Sequence, residues 1–283
     1  MSKIETRGVK MRVSLISVVV ALGAMICAAA YAGLTDGLVG YWSFDDGTAK
    51  DNSRMGNHGK ISHGSPKVVD GQVGKALDFD GDDGIDVPDD PSLRLSKALT
   101  VAAWVYPRSV VDPTTGLDHC GICWKGKMIG WGVNVYNWRI ATATPQGLAW
   151  GVQAEGAKGW FVTGNCFKEG LKKWYHVVLV EDGKEGTVYI NGVALTDADV
   201  TRGDRHRPSA PYYVLKGEPV RIGYAQGYGG DINMLTFFDG IIDEVAIHNR
   251  ALNADEIKQL MKIRPAAVNP SAKLTTTWGA IKK

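Results

Sequence analysis

Asp243 is the residue whose surroundings demand most of it. It lies in FFDGIIDEVAIHNRAL, Phe237 to Leu252. The two-residue strand period there predicts Ile241, Asp243, Val245 and Ile247 on one face, and Ile242, Glu244, Ala246 and His248 on the other. A carboxylate among β-branched apolar neighbours is costly to desolvate unless it meets a cation or several N–H donors. Two chemistries answer that demand: a hard cation such as Ca2+, which gathers about six to eight oxygens, or a set of backbone donors.

Other residues with chemical potential are spread through the middle of the chain. Trp124, Trp131, Trp138, Trp150 and Trp160 crowd into one third of it, and aromatic rings of this kind stack on the C–H faces of sugars. Asn137, Trp138 and Arg139 form the best candidate ligand-binding group, although tryptophans in β-rich folds more often fill the core. His119-Cys120-Gly121-Ile122-Cys123 reverses the order that haem attachment needs. A Cys3His zinc site with Cys166 has the right stoichiometry, but in an exported chain a disulfide joining Cys166 to Cys120 or Cys123 is the default. His176 sits in an apolar strand and reads as structural, and no Ser-, metal- or phosphate-binding motif occurs in a supporting context.

The first 32 residues belong to targeting rather than to the fold. Lys3, Arg7, Lys10 and Arg12 precede the apolar run Val13 to Ala30, and Ala30-Tyr31-Ala32 is an A-x-A cleavage signal before Gly33. An uncleaved anchor is the alternative, whereas Ile26 before Cys27 argues against a lipoprotein site. Cleavage after Ala32 predicts a secreted, periplasmic or cell-surface protein with no stable membrane insertion. It removes four of the 32 basic and one of the 30 acidic residues, leaving 28 against 29. A nearly neutral chain has no electrostatic footprint for nucleic acid.

The elements that must position these residues are short alternating strands divided by turns. Leu99 to Tyr106 alternates Leu99, Val101, Ala103 and Val105 with Thr100, Ala102, Trp104 and Tyr106. Lys172 to Leu195 reads as a hairpin turning at Asp182-Gly183 and ending at Asn191-Gly192. Asn253 with Glu256 makes a capping box for one late helix. Asp197 to Glu218 lacks any apolar period and reads as a long loop; its Arg202-Gly203-Asp204 is a tripeptide common by chance. Scattered glycines, 35 of 283 residues, supply tight turns. This pattern predicts an all-β, antiparallel two-sheet sandwich with one short C-terminal helix, spanning residues 33–262, with a tail at 263–283.

Several of these segments resemble one family. The opening strand GLVGYWSFDDG with its D-N-S-x-x-G-N-x-G loop, the W-Y-H-V-V-L-V…Y-I-N-G hairpin and the closing F-x-G-x-I-D-E-V-x-I-x-x-R-A-L-x-x-x-E-I are similar to laminin-G-like (concanavalin A-like) jelly-roll domains. The resemblance implies that the last strand pairs beside the first, bringing Asp243 near Asp45, Asp51 and Asn57. It also implies that some members hold one structural Ca2+ at a comparable place. Those four residues are the candidate calcium ligands, and N–H bonds from the 56–59 backbone to Asp243 are the competing reading. Glycosidases of this fold share an E-x-D-x-x-E strand; Glu181-Asp182-Gly183-Lys184-Glu185 has the wrong spacing and falls on a turn. The expectation is a non-catalytic binding or adhesion module for glycan or extracellular protein. A polysaccharide hydrolase or lyase is one alternative, and a structural spacer in a surface assembly is the other.

Overall fold

The computed structural model describes residues 33–262 apart from 111–112, 114–118, 127–129, 138–145, 153–159, 165, 204, 207–215 and 229–230. The expected targeting segment, the tail, Trp138 and Arg139 therefore lie outside the described residues. In chain order the strands begin with β1 (Leu38–Trp42), β2 (Lys60–His63), β3 (Lys67–Asp70), β4 (Lys75–Asp80), β5 (Gly84–Val87) and β6 (Leu99–Pro107). They continue with β7 (His119–Gly126), β8 (Gly130–Asn137), β9 (Gln146–Val152), β10 (Trp160–Thr163), β11 (Tyr175–Glu181) and β12 (Gly186–Ile190). The last are β13 (Val193–Ala194), β14 (Val200–Gly203), β15 (Val220–Ile222), β16 (Tyr224–Tyr228), β17 (Asp231–Phe237) and β18 (Asp239–His248), before helix α1 (Ala254–Leu260).

Two antiparallel sheets face one another. The first runs β13-β12-β11-β6-β18-β4-β3, with β1 also on β18; the second runs β14-β10-β9-β8-β7-β15-β5-β2. Strands β16 and β17 form a separate ribbon. Between the sheets lies the main core, where Leu99, Val101, Ala103 and Val105 of β6 meet Val220 and Ile222 of β15 and Ile85 and Val87 of β5. The period-two pattern of β6 is thus realised. A second apolar cluster, with Leu34, Tyr41, Ala102, Val178, Ala246, Ile257 and Leu260, seats α1 on the outer face of the first sheet. Asn253 Oδ1 caps α1 by accepting from Asp255 and Glu256 N–H, and the Glu256 side chain accepts from Asn253 N–H.

First and last strands pair, as expected: Tyr41 opposes Ala246 and Trp42 opposes Val245. Strand β4 pairs with residues 239–242 of β18 and β1 with its later residues, so the two share one edge end to end. At that junction β18 bulges against β6, with Asp243 opposite Trp104 and Ala246 opposite Ala102. Glu244 takes up the extra residue at φ 53°, a conformation uncommon outside glycine. The bulge reverses the phase of the strand, which corrects the expected faces. Val245 and Ile247 join Ile242 in the main core, whereas Ala246 enters the cluster under α1, leaving Asp243 on the opposite side from Val245 and Ile247 while Ile241 stays on its face.

The β11–β12 hairpin is confirmed, and a second turn at Asn191 (φ 50°) and Gly192 (φ 77°) leads into β13. The expected disulfide is not formed. Cys120, Cys123 and Cys166 are buried thiols; Cys120 and Cys123 pack in the main core, and Cys166 Sγ lies 2.7 Å from Thr163 Oγ1 and 3.0 Å from Gly164 O. Burial pushes the Cys123 thiol up to about 12, because an apolar core disfavours the thiolate.

Candidate functional site

Of the four expected calcium ligands, Asp51 and Asn57 are joined within one loop, whereas Asp45 and Asp243 accept bonds from residues 73–75. Asp51 is nine-tenths buried or more and accepts four bonds, from Tyr41 N (3.0 Å), Ser53 N (2.8 Å), Ser53 Oγ (2.8 Å) and Asn57 N (2.8 Å). Asn57 Nδ2 in turn donates to Val39 O and Ser92 Oγ. Asp45 accepts from Lys75 N (3.0 Å) and Asp243 from Val73 N (2.9 Å). The donor seen at Asp243, the Val73 N–H, thus lies in the turn before β4. A carboxylate with four donors, as at Asp51, is satisfied without a cation. Among the described residues, the acids that bring oxygens within 4.8 Å of one another are Asp80, Asp82 and Asp83.

The outer face of the second sheet carries a different constellation. Ile85 and Val87, Val220 and Ile222, and Cys123 turn into the core, so alternation sends Asp86, Arg221 and Trp124 outward. Backbone register lines up Asp86, Arg221, Trp124, Gly132, Gly151 and Trp160 across six adjacent strands. A neighbouring row carries Gly121, Asn134, Ala149, Val162 and Arg202. Gly132 and Gly151 stand side by side in the first row, between the positions of Trp124 and Trp160. Asn137 pairs with Gln146 at the end of β8, away from this row. Trp131 aligns with Lys125, and Trp150 aligns through Val133 with Cys123.

One end of the row is rigidly held. Arg221 is 4% exposed; its Nη1 donates to Gly126 O (2.6 Å) and its Nη2 to Glu218 Oε2 (3.0 Å) and Gln226 Oε1 (2.7 Å). The guanidinium carbon lies 5.8 Å from the Tyr224 ring centroid. Tyr224 donates its hydroxyl to Asp86, and its ring packs 4.7 Å from His63 and 5.6 Å from Phe237. Burial, and then the Asp86 carboxylate, push the Tyr224 phenol far up. The backbone of Tyr224 and Ala225 lies where a side chain at Gly121 would be, so the β16–β17 ribbon crosses the sheet directly over that glycine.

A rim network continues from this face. Lys125, 1% exposed, donates to Asp89 Oδ1 (2.7 Å) and to Glu218 O. Arg94 Nη2 and Gly217 N reach Asp89 Oδ2 at 2.8 Å and 2.6 Å. Desolvation opposes ionisation of Asp89, but the bonds from Arg94, Lys125 and Gly217 prevail and hold its carboxyl well below the usual range. None of Arg221, Lys125 or Asp89 stands out in the sequence. What would have drawn notice is a basic residue at the centre of the apolar triplet Val220-Arg221-Ile222.

Comparison with known proteins places this architecture. A family model for the concanavalin A-like lectin/glucanases superfamily matches residues 79–258, more than half of the chain. No curated protein sequence matches. Among solved structures, domain 4 of AbnA, a GH43 extracellular arabinanase from Geobacillus stearothermophilus, in complex with arabinotriose, is 22% identical at a TM-score of 0.56, over 80% of this chain and 98% of that one. The binding domain of Paraclostridial Mosquitocidal Protein 1 is 19% identical at 0.56, over 81% of this chain and 52% of that one. The binding domain of Botulinum Neurotoxin DC in complex with SialylT is 13% identical at 0.57, over 80% and 51%. This chain thus spans about half of each toxin binding domain; at such identities the likeness is one of fold.

Proposed function

The chain belongs to the concanavalin A-like lectin/glucanase superfamily, and we propose that it acts there as an exported, non-catalytic module that binds glycan on the outer face of its second sheet. The observation that carries this reading is the row Arg221–Trp124–Gly132–Gly151–Trp160. Glycines at its centre suit close approach of a saccharide to the sheet backbone, beside the Trp124 position, where the residue is 9% exposed. The Arg221–Glu218–Gln226 group fixes one end of the row. Pre-formed, rigid polar groups beside an apolar floor are what oriented carbohydrate recognition needs.

The fold of an arabinanase domain in complex with arabinotriose, and of a toxin binding domain in complex with SialylT, supports the same reading by analogy. The decisive experiment is a glycan-array screen of the purified protein, followed by Trp124→Phe, which keeps a ring at this buried position. Saturable binding to a defined glycan, lost in the variant while the thermal transition is kept, supports the proposal. Release of reducing ends from the bound polysaccharide makes the protein an enzyme, and an absence of glycan binding returns it to a protein-binding or spacer role.

A further inference from the structure

A separate cavity of about 240 Å3 opens where the chain enters β6 and leaves β18, lined by Ser92, Arg94, Leu95, Ser96, Lys97 and Asn249 among others. Its walls are fixed. Asp90 Oδ1 accepts from Ser92 N (2.8 Å) and Ser92 Oγ (2.7 Å), Asn57 Nδ2 reaches Ser92 Oγ (2.9 Å), and Leu93 and Leu95 are buried.

The lining is one-sided in its chemistry: it contains two cations, two hydroxyls and an amide, and no carboxylate. Several of these groups retain hydrogen-bonding capacity. Arg94 gives Nε and Nη2 to Asp89, which leaves Nη1. Among the described residues, the side chains of Ser96, Lys97 and Asn249 make no hydrogen bond or ion pair. By contrast, Arg108, Lys125, Arg221 and Arg250 are each bound to a carboxylate.

We propose that this cavity is a second ligand site and that it takes a carboxylate-bearing sugar residue, a hexuronate of an acidic glycan. Lys97 and Arg94 Nη1 meet the carboxylate, Ser96 and Asn249 meet ring hydroxyls, and Leu95 with Ala98 offers an apolar wall to the C–H face. The volume lies below the roughly 300–1,000 Å3 of pockets that enclose drug-sized ligands, which suits one sugar residue rather than an oligomer. The proposal extends the glycan-binding reading but uses none of the residues around Trp124, so the two fail separately.

The test is a ligand titration of the full chain followed by NMR, at constant ionic strength, with sodium glucuronate, glucose and sodium sulfate as probes. Saturable shifts with glucuronate and none with glucose are expected. Lys97→Gln should weaken glucuronate binding about tenfold or more, and Asn249→Ala should weaken it less. Lys97 is exposed, so its variant should keep the wild-type melting temperature. No saturation with glucuronate, equal binding of glucose, or an unaltered Lys97→Gln overturns the proposal. Sulfate binding as tightly as glucuronate would mark a bare anion site and overturn the sugar assignment.

Discussion

Asp243 in β18 accepts a hydrogen bond from the Val73 N–H, 2.9 Å away and 170 residues earlier in the chain. The contact falls where β4 stops pairing with β18 and β1 begins. The carboxylate thus supplies an acceptor at a gap in the sheet edge, and it is fully buried. Asp243→Ala should destabilise the fold by about 1–3 kcal/mol, the range for a buried polar partner removed. Asp36→Ala, at an exposed acid, should change stability by less than about 0.5 kcal/mol. Urea denaturation of the two variants checks this, and equal midpoints refute it.

Asp51 leads to a prediction about metal. Its four donors already satisfy the carboxylate, so EDTA should leave the melting temperature unchanged. A rise on adding Ca2+ that is lost in Asp51→Asn would instead place an ion in this loop.

The buried histidines predict a pH dependence. Burial lowers His176 to about 3 and His248 to about 4; for His248 the bond to Leu34 O and the nearby charges of Arg250, Glu256 and Asp36 are smaller influences. In each case the folded value lies below the unfolded one of about 6.5. The unfolded chain therefore takes up protons first as the pH falls. The stability contributed by each neutral histidine is complete above about pH 6.5 and drains towards pH 4, with a limiting slope of about 1.4 kcal/mol per pH unit per histidine. Denaturation midpoints at pH 7, 6 and 5 should fall in order, and His248→Asn should flatten the trend.

Gly121 tests the seat of the β16–β17 ribbon. A methyl group there would overlap the Tyr224 backbone, so Gly121→Ala should cost about 1–3 kcal/mol as an overpacked position. It should also weaken glycan binding through displacement of Tyr224 and Arg221. Unchanged stability and unchanged binding together would count against that seating.

What the sequence made legible was local: the alternation of β6, the Asn253–Glu256 capping box and the Asn191-Gly192 turn each depend on neighbours a few residues away. The face of Asp243 was misread because the strand period assumes regular pairing. The bulge at Glu244 arises from three strands meeting on β18, a non-local condition. The Arg221–Trp124–Gly132–Gly151 row was hidden for a similar reason, since its members are spread over residues 124–221 and only strand register aligns them. The cysteines misled through context, because an expectation of export favoured a disulfide where the fold uses small apolar side chains.

The position of β18 has a consequence for how the protein is made. The strand furthest along the described residues lies in the middle of the first sheet, contacting β1, β4 and β6. That sheet cannot close until β18 has been made, and contacts so distant along the chain form slowly.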